Sequence, residues 1–227
     1  MRVALLSDTH ANRDALSAML PLLKGADQAL HLGDVVGYYC DVNDVIDVLR
    51  AADVVCIRGN HDQYLLEGCP ADVNEAVRFG VEYADSVITI SNRRWLAGLP
   101  TRVDLHFGGR RLLGVHGSPW SDLAEYVYPD SPRIRTLWNL GYDVIALGHT
   151  HHAMTLAASR QVVVNPGSVG QPRDIPASAS AAIIDLATLD VQQVRVRFDP
   201  AGVLSRARDN GAGEWVYRHF QHRDRNG

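Results

Sequence analysis

The stretch Asp143-Val144-Ile145-Ala146-Leu147-Gly148-His149-Thr150-His151-His152 joins a short apolar run to three histidines. The run from Asp143 to Leu147 is typical of a short buried strand. If extended geometry continues past Leu147, His149 and His151 leave the same face of the chain, because side chains alternate along a strand. Two imidazoles on one face at a strand end suit a metal ion better than a hydrophobic core. We therefore interpret this stretch as part of a metal site.

Other apolar runs in the first quarter of the chain predict strands that alternate with helices. We predict strands at residues 3–7, 28–32 and 53–57. A helix capped by Asn12 and a helix over residues 42–49 separate them. This alternation indicates βαβ units, a largely parallel sheet and the α/β class.

The rest of the chain predicts a helical region and several hairpins in one continuous domain. We predict a helical region over 73–96 that is broken near Ser86, and short helices over 132–140 and from Asp199-Pro200. We also predict three hairpins: 102–107 pairs with 110–115 through Gly108-Gly109, 154–158 pairs with 161–164, and 181–186 pairs with 191–198. No linker divides these elements, so we expect a single domain over residues 1–210. Residues 211–227 are expected to form a polar tail.

Composition and charge exclude several classes of protein. Of the 227 residues 46% are hydrophobic and 21% charged, as in an ordinary soluble globular protein, and the net charge of −4 predicts no nucleic-acid-binding face. No apolar run approaches the roughly 20 residues of a membrane span, and the chain enters a predicted strand at once, leaving no room for a signal peptide. The three cysteines are odd in number and lack metal-binding spacing, which predicts a reduced, cytoplasmic protein.

Five predicted strands end in residues that can bind a metal or carry a proton. These strand-end residues are Asp8 and His10, Asp34, Asn60 and His61, His116, and His149 and His151. One such end is more often a turn or a helix cap. In an open α/β sheet, however, ligands gather at the carboxyl ends of the strands, so five successive ends of this kind predict one shared site.

The types of residue at these ends favour two metal ions over one. The candidate ligands are Asp8, His10, Asp34, Asn60, His116, His149 and His151. Seven are too many for one tetrahedral zinc but suit two ions with five or six ligands each. Carboxylate, amide and imidazole groups without thiolate indicate Mn, Fe, Zn or similar ions. Two ions about 3.5–4 Å apart can promote an in-line displacement at phosphorus, and Asp34 is the candidate to bridge them.

The order and spacing of these motifs resemble those of the calcineurin-like metallophosphoesterases. The motifs are Asp8-x-His10, Gly33-Asp34, Gly59-Asn60-His61-Asp62, His116 and Gly148-His149-x-His151, spread in order over residues 3–170. The resemblance implies a four-layer αββα sandwich of two mixed sheets flanked by helices. Gly37-Tyr38, His116-Gly117-Ser118-Pro119 and the stretch from Asn165 to Pro172 resemble the small bacterial and archaeal phosphodiesterase branch.

The resemblance also implies a role for each residue of the site. Asp8, His10, Asp34 and His151 would hold one divalent ion, and Asp34, Asn60, His116 and His149 the other. A hydroxide held by both ions would attack phosphorus, Asn60 would also contact the substrate, and His61 would assist the leaving oxygen. Asp62 is the candidate to orient His61.

Three functions follow, of which a metal-dependent phosphodiesterase acting on a small or nucleotide-like phosphate ester is the leading one. The second is a phosphomonoesterase, including one that acts on phosphoproteins or dinucleoside polyphosphates. The chain lacks the Asp-Arg-Gly that such phosphatases carry after Gly33-Asp34, which disfavours the phosphoprotein version. The third is a non-catalytic scaffold, as in retromer's metallophosphoesterase-like subunit, which the presence of His61 disfavours. Whether the chain forms a homo-oligomer stays open.

Several residues near the site have alternative interpretations. The loop aromatics Tyr38, Trp120, Tyr126 and Tyr128 either pack beneath loops or stack on a substrate, and Tyr126 is the best candidate for substrate binding. His31, inside a strand, is expected to be a buried, hydrogen-bonded residue. We place His152 outside the metal ligands. Asn165-Pro166-Gly167-Ser168 forms either a tight turn or part of the pocket wall.

Overall fold

The computed structural model describes residues 1–107 and 109–220, and that part of the chain folds into two five-stranded sheets with helices. The strands are β1 (Arg2–Leu6), β2 (Gln28–His31), β3 (Val55–Cys56), β4 (Arg102–Phe107), β5 (Arg110–Val115), β6 (Val144–Leu147), β7 (Ala153–Ala158), β8 (Gln161–Pro166), β9 (Ser178–Asp185) and β10 (Val191–Arg197). The helices are α1 (Arg13–Lys24), α2 (Val42–Ala51), α3 (Asn60–Glu67), α4 (Glu75–Val87), α5 (Ile90–Ala97), α6 (Ala201–Asp209) and α7 (Trp215–Phe220), with a 3₁₀ helix at Ile134–Asn139.

Each sheet contains three adjacent parallel strands together with antiparallel pairs. The first sheet has the order β10-β9-β1-β2-β3, in which β1, β2 and β3 are parallel. The second has the order β4-β5-β6-β8-β7, in which β5, β6 and β8 are parallel. Because parallel strands end at the same edge of a sheet, the loops that follow β1, β2, β5 and β6 can meet there.

The side chains of β1 show how the layers are built. Val3 and Leu5 pack between the two sheets, together with Leu112 and Val144 of the second sheet. Alternate residues of β1 join the core beneath the helices. A strand buried on both faces has a continuous apolar sequence, which is the pattern that predicts it. The 3₁₀ helix and neighbouring loop aromatics lie over the outer face of the second sheet. The four-layer sandwich is thus confirmed.

Side-chain caps fix where three of the helices begin. Asn12, Asn74 and Thr89 each accept a hydrogen bond from a backbone N–H three residues later, at 3.0–3.2 Å. Such caps satisfy N–H groups that have no partner within the helix. The predicted break near Ser86 lies between the end of α4 at Val87 and the start of α5 at Ile90.

The predicted elements need three corrections. Helix α3 was not predicted, and β3 is shorter than residues 53–57. The polar tail expected over 211–227 is wrong in part, because α7 lies within it and Val216 is fully buried. Gly108 of the predicted hairpin turn and residues 221–227 lie outside the described residues. Every helix in the described part of the chain falls short of the length and hydrophobicity of a membrane span.

Candidate metal centre

The loops after β1, β2, β5 and β6 and the start of α3 bring the predicted site residues together. We call these eight side chains the floor: Asp8, His10, Asp34, Asn60, His61, His116, His149 and His151. None of them is more than 8% exposed. Charged and polar groups at such burial need partners. The floor is therefore either internally paired or built for a ligand.

A first cluster on the floor holds Asp8, His10, Asp34 and His151, whose ligating atoms lie within 4.8 Å of one another. His151 Nε2 lies 3.2 Å from Asp8 Oδ1 and 3.0 Å from His10 Nε2. His10 Nε2 lies 3.7 Å from Asp34 Oδ2. Two carboxylates and two imidazoles thus converge on one small volume.

A second cluster holds Asp34, His116 and His149, again within 4.8 Å of one another. His116 Nε2 lies 3.4 Å from Asp34 Oδ2 and 3.0 Å from Asn60 Oδ1. Asp34 belongs to both clusters, as a bridging carboxylate would. The division of His149 and His151 between the clusters is the one that the family resemblance implies.

Backbone carbonyls set the tautomers of three floor histidines. His10 Nδ1 lies 3.0 Å from Val36 O, His116 Nδ1 lies 2.7 Å from Leu32 O, and His151 Nδ1 lies 2.7 Å from Gln171 O. A carbonyl oxygen only accepts, so in the neutral ring each Nδ1 carries the proton. Each Nε2 then presents its lone pair to the clusters, as in metal sites where a carbonyl orients the ligand.

This arrangement fits bound cations. The lone pairs of His10 and His151 face each other at 3.0 Å, which is unfavourable unless a proton or a cation lies between them. Asp8 Oδ1 and His149 Nε2 are buried without a hydrogen-bond partner. Divalent ions would satisfy all four atoms at once, and the oxygen and nitrogen donors are of the types such ions take.

The loops that carry the floor have an unusual backbone. The angle φ is positive at Asp8, His10, Asp34, His149 and His151, between 51° and 67°. This left-handed region costs non-glycine residues about 1–3 kcal/mol each and is concentrated at functional sites. The expectation that extended geometry carries His149 and His151 to one face is wrong, because β6 ends at Leu147. The left-handed turns direct the two rings to different clusters.

Asp62 organises the loop around Asp34 and does not contact the His61 ring. Its carboxylate accepts four backbone N–H groups, from Gly59 at 2.9 Å, Asp34 at 2.9 Å, Val35 at 3.3 Å and Val36 at 3.0 Å. Burial raises the pKa of Asp62 to about 7, and the nearby Asp34 carboxylate acts in the same direction. The expectation that Asp62 orients His61 is wrong, because within the described residues its carboxylate accepts only from backbone N–H groups and His61 Nδ1 is buried without a partner.

His61 is positioned by packing. The backbone of Gly37, where φ is +101°, lies so close to His61 Nδ1 that a Cβ there would overlap it. The opposite nitrogen, Nε2, lies 3.9 Å from Asp34 Oδ2. Nδ1 is buried without a partner. The ring therefore presents Nε2 toward the shared carboxylate of the two clusters.

Electrostatics on the floor favour ionised carboxylates and mostly neutral imidazoles. Burial opposes ionisation of Asp34, yet His116 and His61 hold its pKa well below the usual value. Burial also lowers the pKa of His10, and that of His149 to about 3. His116 differs: burial again opposes its charge, but Asp34 raises its pKa to about 9. Two anionic carboxylates at the centre complement added positive charge.

Comparison with known proteins decides the family. Residues 1–189 match the family model of the calcineurin-like phosphoesterase superfamily domain. The chain belongs to this family. It resembles a metallophosphoesterase of known structure from Sphaerobacter thermophilus, at 27% identity and a TM-score of 0.83, over 97% of this chain and 98% of that chain.

Two further relatives define how far the likeness extends. An uncharacterized protein of Methanocaldococcus jannaschii is 29% identical over 233 residues, covering 94% of this chain and 95% of that protein. A solved archaeal phosphodiesterase is 15% identical with a TM-score of 0.54, over 86% of this chain and the whole of that chain. The likeness to the archaeal phosphodiesterase shows a shared fold and nothing more.

Above the floor a cavity of about 320 Å³ opens to solvent. Tyr38, Tyr64, Tyr126 and Arg173 line its walls, together with the start of α4. Tyr126 stacks on His149, with centroids 3.8 Å apart and planes 20° from parallel, while 46% of its surface stays exposed. We call Tyr126 and Arg173 the rim. Arg173 was not predicted, although it directly follows the family-like stretch that ends at Pro172.

The remaining residues with alternative interpretations support the site from outside. His31 is buried, and its Nε2 lies 2.8 Å from Thr9 Oγ1, which confirms the expected hydrogen-bonded core histidine. Asn165 donates to Gly148 O at 2.6 Å, and Ser168 Oγ donates to Asp8 O at 2.7 Å. These two residues thus brace the loops that carry floor histidines and Asp8.

Proposed function

We propose that this metallophosphoesterase hydrolyses phosphodiesters, acting on small or nucleotide-like substrates with two divalent ions. The observation that carries the proposal is the pair of donor clusters sharing Asp34, with imidazole lone pairs set toward them by backbone carbonyls. Family membership supports phosphoester hydrolysis as the class of reaction. Manganese is the first metal to test, since the donor set accepts Mn, Fe or Zn.

The two clusters support a separate set of ligands for each ion. Asp8, His10, Asp34 and His151 would hold one, and Asp34, His116 and His149 the other, with Asn60 completing it from beside His116. When bound, such ions lower the pKa of water and offset negative charge at phosphorus. The role of the protein is to hold the donor atoms in place, and the hydrogen bonds from the histidines to backbone carbonyls do this without a bound ligand.

His61 is the proposed general acid. Its Nδ1 faces Gly37, so Nε2 is the nitrogen that can hold a proton toward the substrate. From the imidazolium form of His61, donation of the Nε2 proton to the leaving oxygen leaves a neutral ring and prevents an alkoxide from forming as the P–O bond breaks. Asn60, the first residue of α3, precedes His61 and lines the same cavity, where its amide can contact a phosphoryl oxygen.

Tyr126 supports a preference for diesters over monoesters. It lines both the cavity above the floor and a second cavity of about 230 Å³ next to it. The second cavity is walled by Trp120, Val127 and Ile134. A diester carries two organic groups, and two adjoining cavities can receive one each. Tyr126 would stack on an aromatic or base group at their junction.

Turnover of two aryl esters tests the proposal. In excess manganese, bis(p-nitrophenyl) phosphate should be hydrolysed with a higher kcat/KM than p-nitrophenyl phosphate. The reverse preference would favour the phosphomonoesterase. Failure to hydrolyse either ester, or other diesters, with any of several divalent metals would favour a non-catalytic scaffold.

A cytoplasmic location also belongs to the proposal, while self-association stays an open question. Cys40, Cys56 and Cys69 are all unpaired, which supports a reducing compartment. Size-exclusion chromatography with light scattering reads the oligomeric state directly.

A further inference from the structure

Arg173 is an arginine on the wall of the metal cavity that the proposed chemistry does not use. It follows β8 and is held at the backbone, where its N–H donates to His151 O at 3.3 Å. Its guanidinium Nη2 donates to the Tyr38 hydroxyl at 3.5 Å. Arg173 is thus tied at one end to a floor histidine and at the other to an aromatic wall residue.

The guanidinium of Arg173 has no carboxylate partner within 4.0 Å among the described residues. Its neighbour Asp174 pairs with Arg195 instead. Many other arginines on this protein do pair, as Arg13 with Asp44 and Arg206 with Asp14 and Asp41. Among the described residues that line this cavity, Arg173 is the single arginine, and lysine does not occur. An unpaired guanidinium at the mouth of a cavity is available to an anionic ligand.

Tyr38 lies between the Arg173 guanidinium and two floor histidines in the chain of contacts. The Tyr38 ring centroid lies 4.6 Å from that of His10 and 4.9 Å from that of His61. Arg173 contacts the hydroxyl of this same tyrosine. The hydroxyl of Tyr38, and no floor side chain among the described residues, is thus the hydrogen-bond partner of the guanidinium, which leaves it able to bind a group of the substrate beside the one that reacts.

We infer that Arg173 binds a second phosphoryl group, so that the substrate is a nucleotide-like ester carrying a further phosphate next to the one that is cleaved. This rests on the proposed function. The planar guanidinium can donate two parallel hydrogen bonds to phosphate oxygens, a geometry that lysine does not match. The floor thus selects the phosphate that reacts, and Arg173 selects the esters that carry another phosphate.

Equilibrium binding separates this role from a structural one. Calorimetry would compare adenosine 5′-monophosphate with adenosine 3′,5′-bisphosphate on the manganese-loaded protein, for wild type, Arg173→Gln and Arg173→Lys. Wild type should bind the bisphosphate more tightly. Arg173→Gln should reduce that preference about tenfold or more, the loss expected for one charge-assisted contact. Arg173→Lys should restore part of it, because the charge is kept.

Arg160→Gln is the matched control, because Arg160 is exposed in the turn between β7 and β8 and does not line the cavity. It removes the same charge and should keep the wild-type preference. Equal losses for both ligands in Arg173→Gln, an unchanged preference, or loss of bound manganese with a lower melting temperature would each overturn the inference. Absence of diester hydrolysis by the wild type would instead count against the proposed function, and the binding preference would still report on Arg173.

Discussion

The floor of the cavity is at most 8% exposed at every side chain, whereas on the rim Tyr126 is 46% exposed and Arg173 also faces solvent. Backbone carbonyls fix three floor imidazoles at 2.7–3.0 Å, while the Arg173 side chain makes one hydrogen bond within the described residues, at 3.5 Å. A rigid, desolvated floor suits metal ions and a fixed reaction geometry. A solvated rim suits selection among substrates, since it can change without disturbing the chemistry.

His61→Ala should produce the largest change of three substitutions that probe this difference. We expect turnover of the diester to fall by roughly 10²–10⁴-fold, the usual contribution of a positioned proton donor. Bound manganese should stay at the wild-type level, because His61 belongs to neither donor cluster. Steady-state kinetics and elemental analysis measure the two quantities.

His152→Ala is the control for His61→Ala. His152 follows a floor histidine, but its ring turns back to Thr150 O at 2.9 Å. Its removal should change turnover far less. Unaltered hydrolysis by His61→Ala would contradict the assignment of His61.

Asp62→Ala tests whether the floor depends on the loop beneath it. The substitution leaves four backbone N–H groups without their acceptor, so the free energy of unfolding should fall by about 2–4 kcal/mol. Urea denaturation measures the change. Asp62→Asn keeps one carbonyl oxygen and should lose less. An Asp62→Ala variant as stable as wild type would show that the loop around Asp34 does not depend on the Asp62 carboxylate.

Tyr126→Ala should have the smallest effect and should act on binding. Loss of an aromatic contact with the substrate predicts a rise in KM for bis(p-nitrophenyl) phosphate of roughly 2- to 12-fold. Tyr128→Ala is the matched control, because Tyr128 is on the same loop but lines neither cavity. A fall in kcat at constant KM would place Tyr126 with the floor instead of the rim.

The difference between the floor and the rim also explains which features the sequence could predict. Each floor residue follows a predicted strand or belongs to a short motif, so its position along the chain was enough to propose a shared site. Fold class followed from continuous apolar runs such as residues 3–6, which are buried on both faces. Local pattern and strand order carry this information.

Features that depend on three-dimensional packing could not be predicted. Histidine is only modestly enriched in left-handed backbone, so residue type did not reveal it at His149 and His151, and extended geometry was the wrong expectation. The motif suggests that Asp62 orients its neighbour His61, but the Asp62 carboxylate accepts hydrogen bonds from the backbone of a loop 26–28 residues away. Arg173 becomes notable only when Tyr38 and the cavity are seen beside it.

The number of manganese ions bound per chain tests the central claim, that the two clusters form a metal pair bridged by Asp34. After loading and removal of free metal, elemental analysis of wild type should give two ions per chain. Asp34→Asn should retain fewer than one, because both clusters lose the carboxylate they share. A wild type without bound metal, or an Asp34→Asn variant that still holds two ions, would contradict the account.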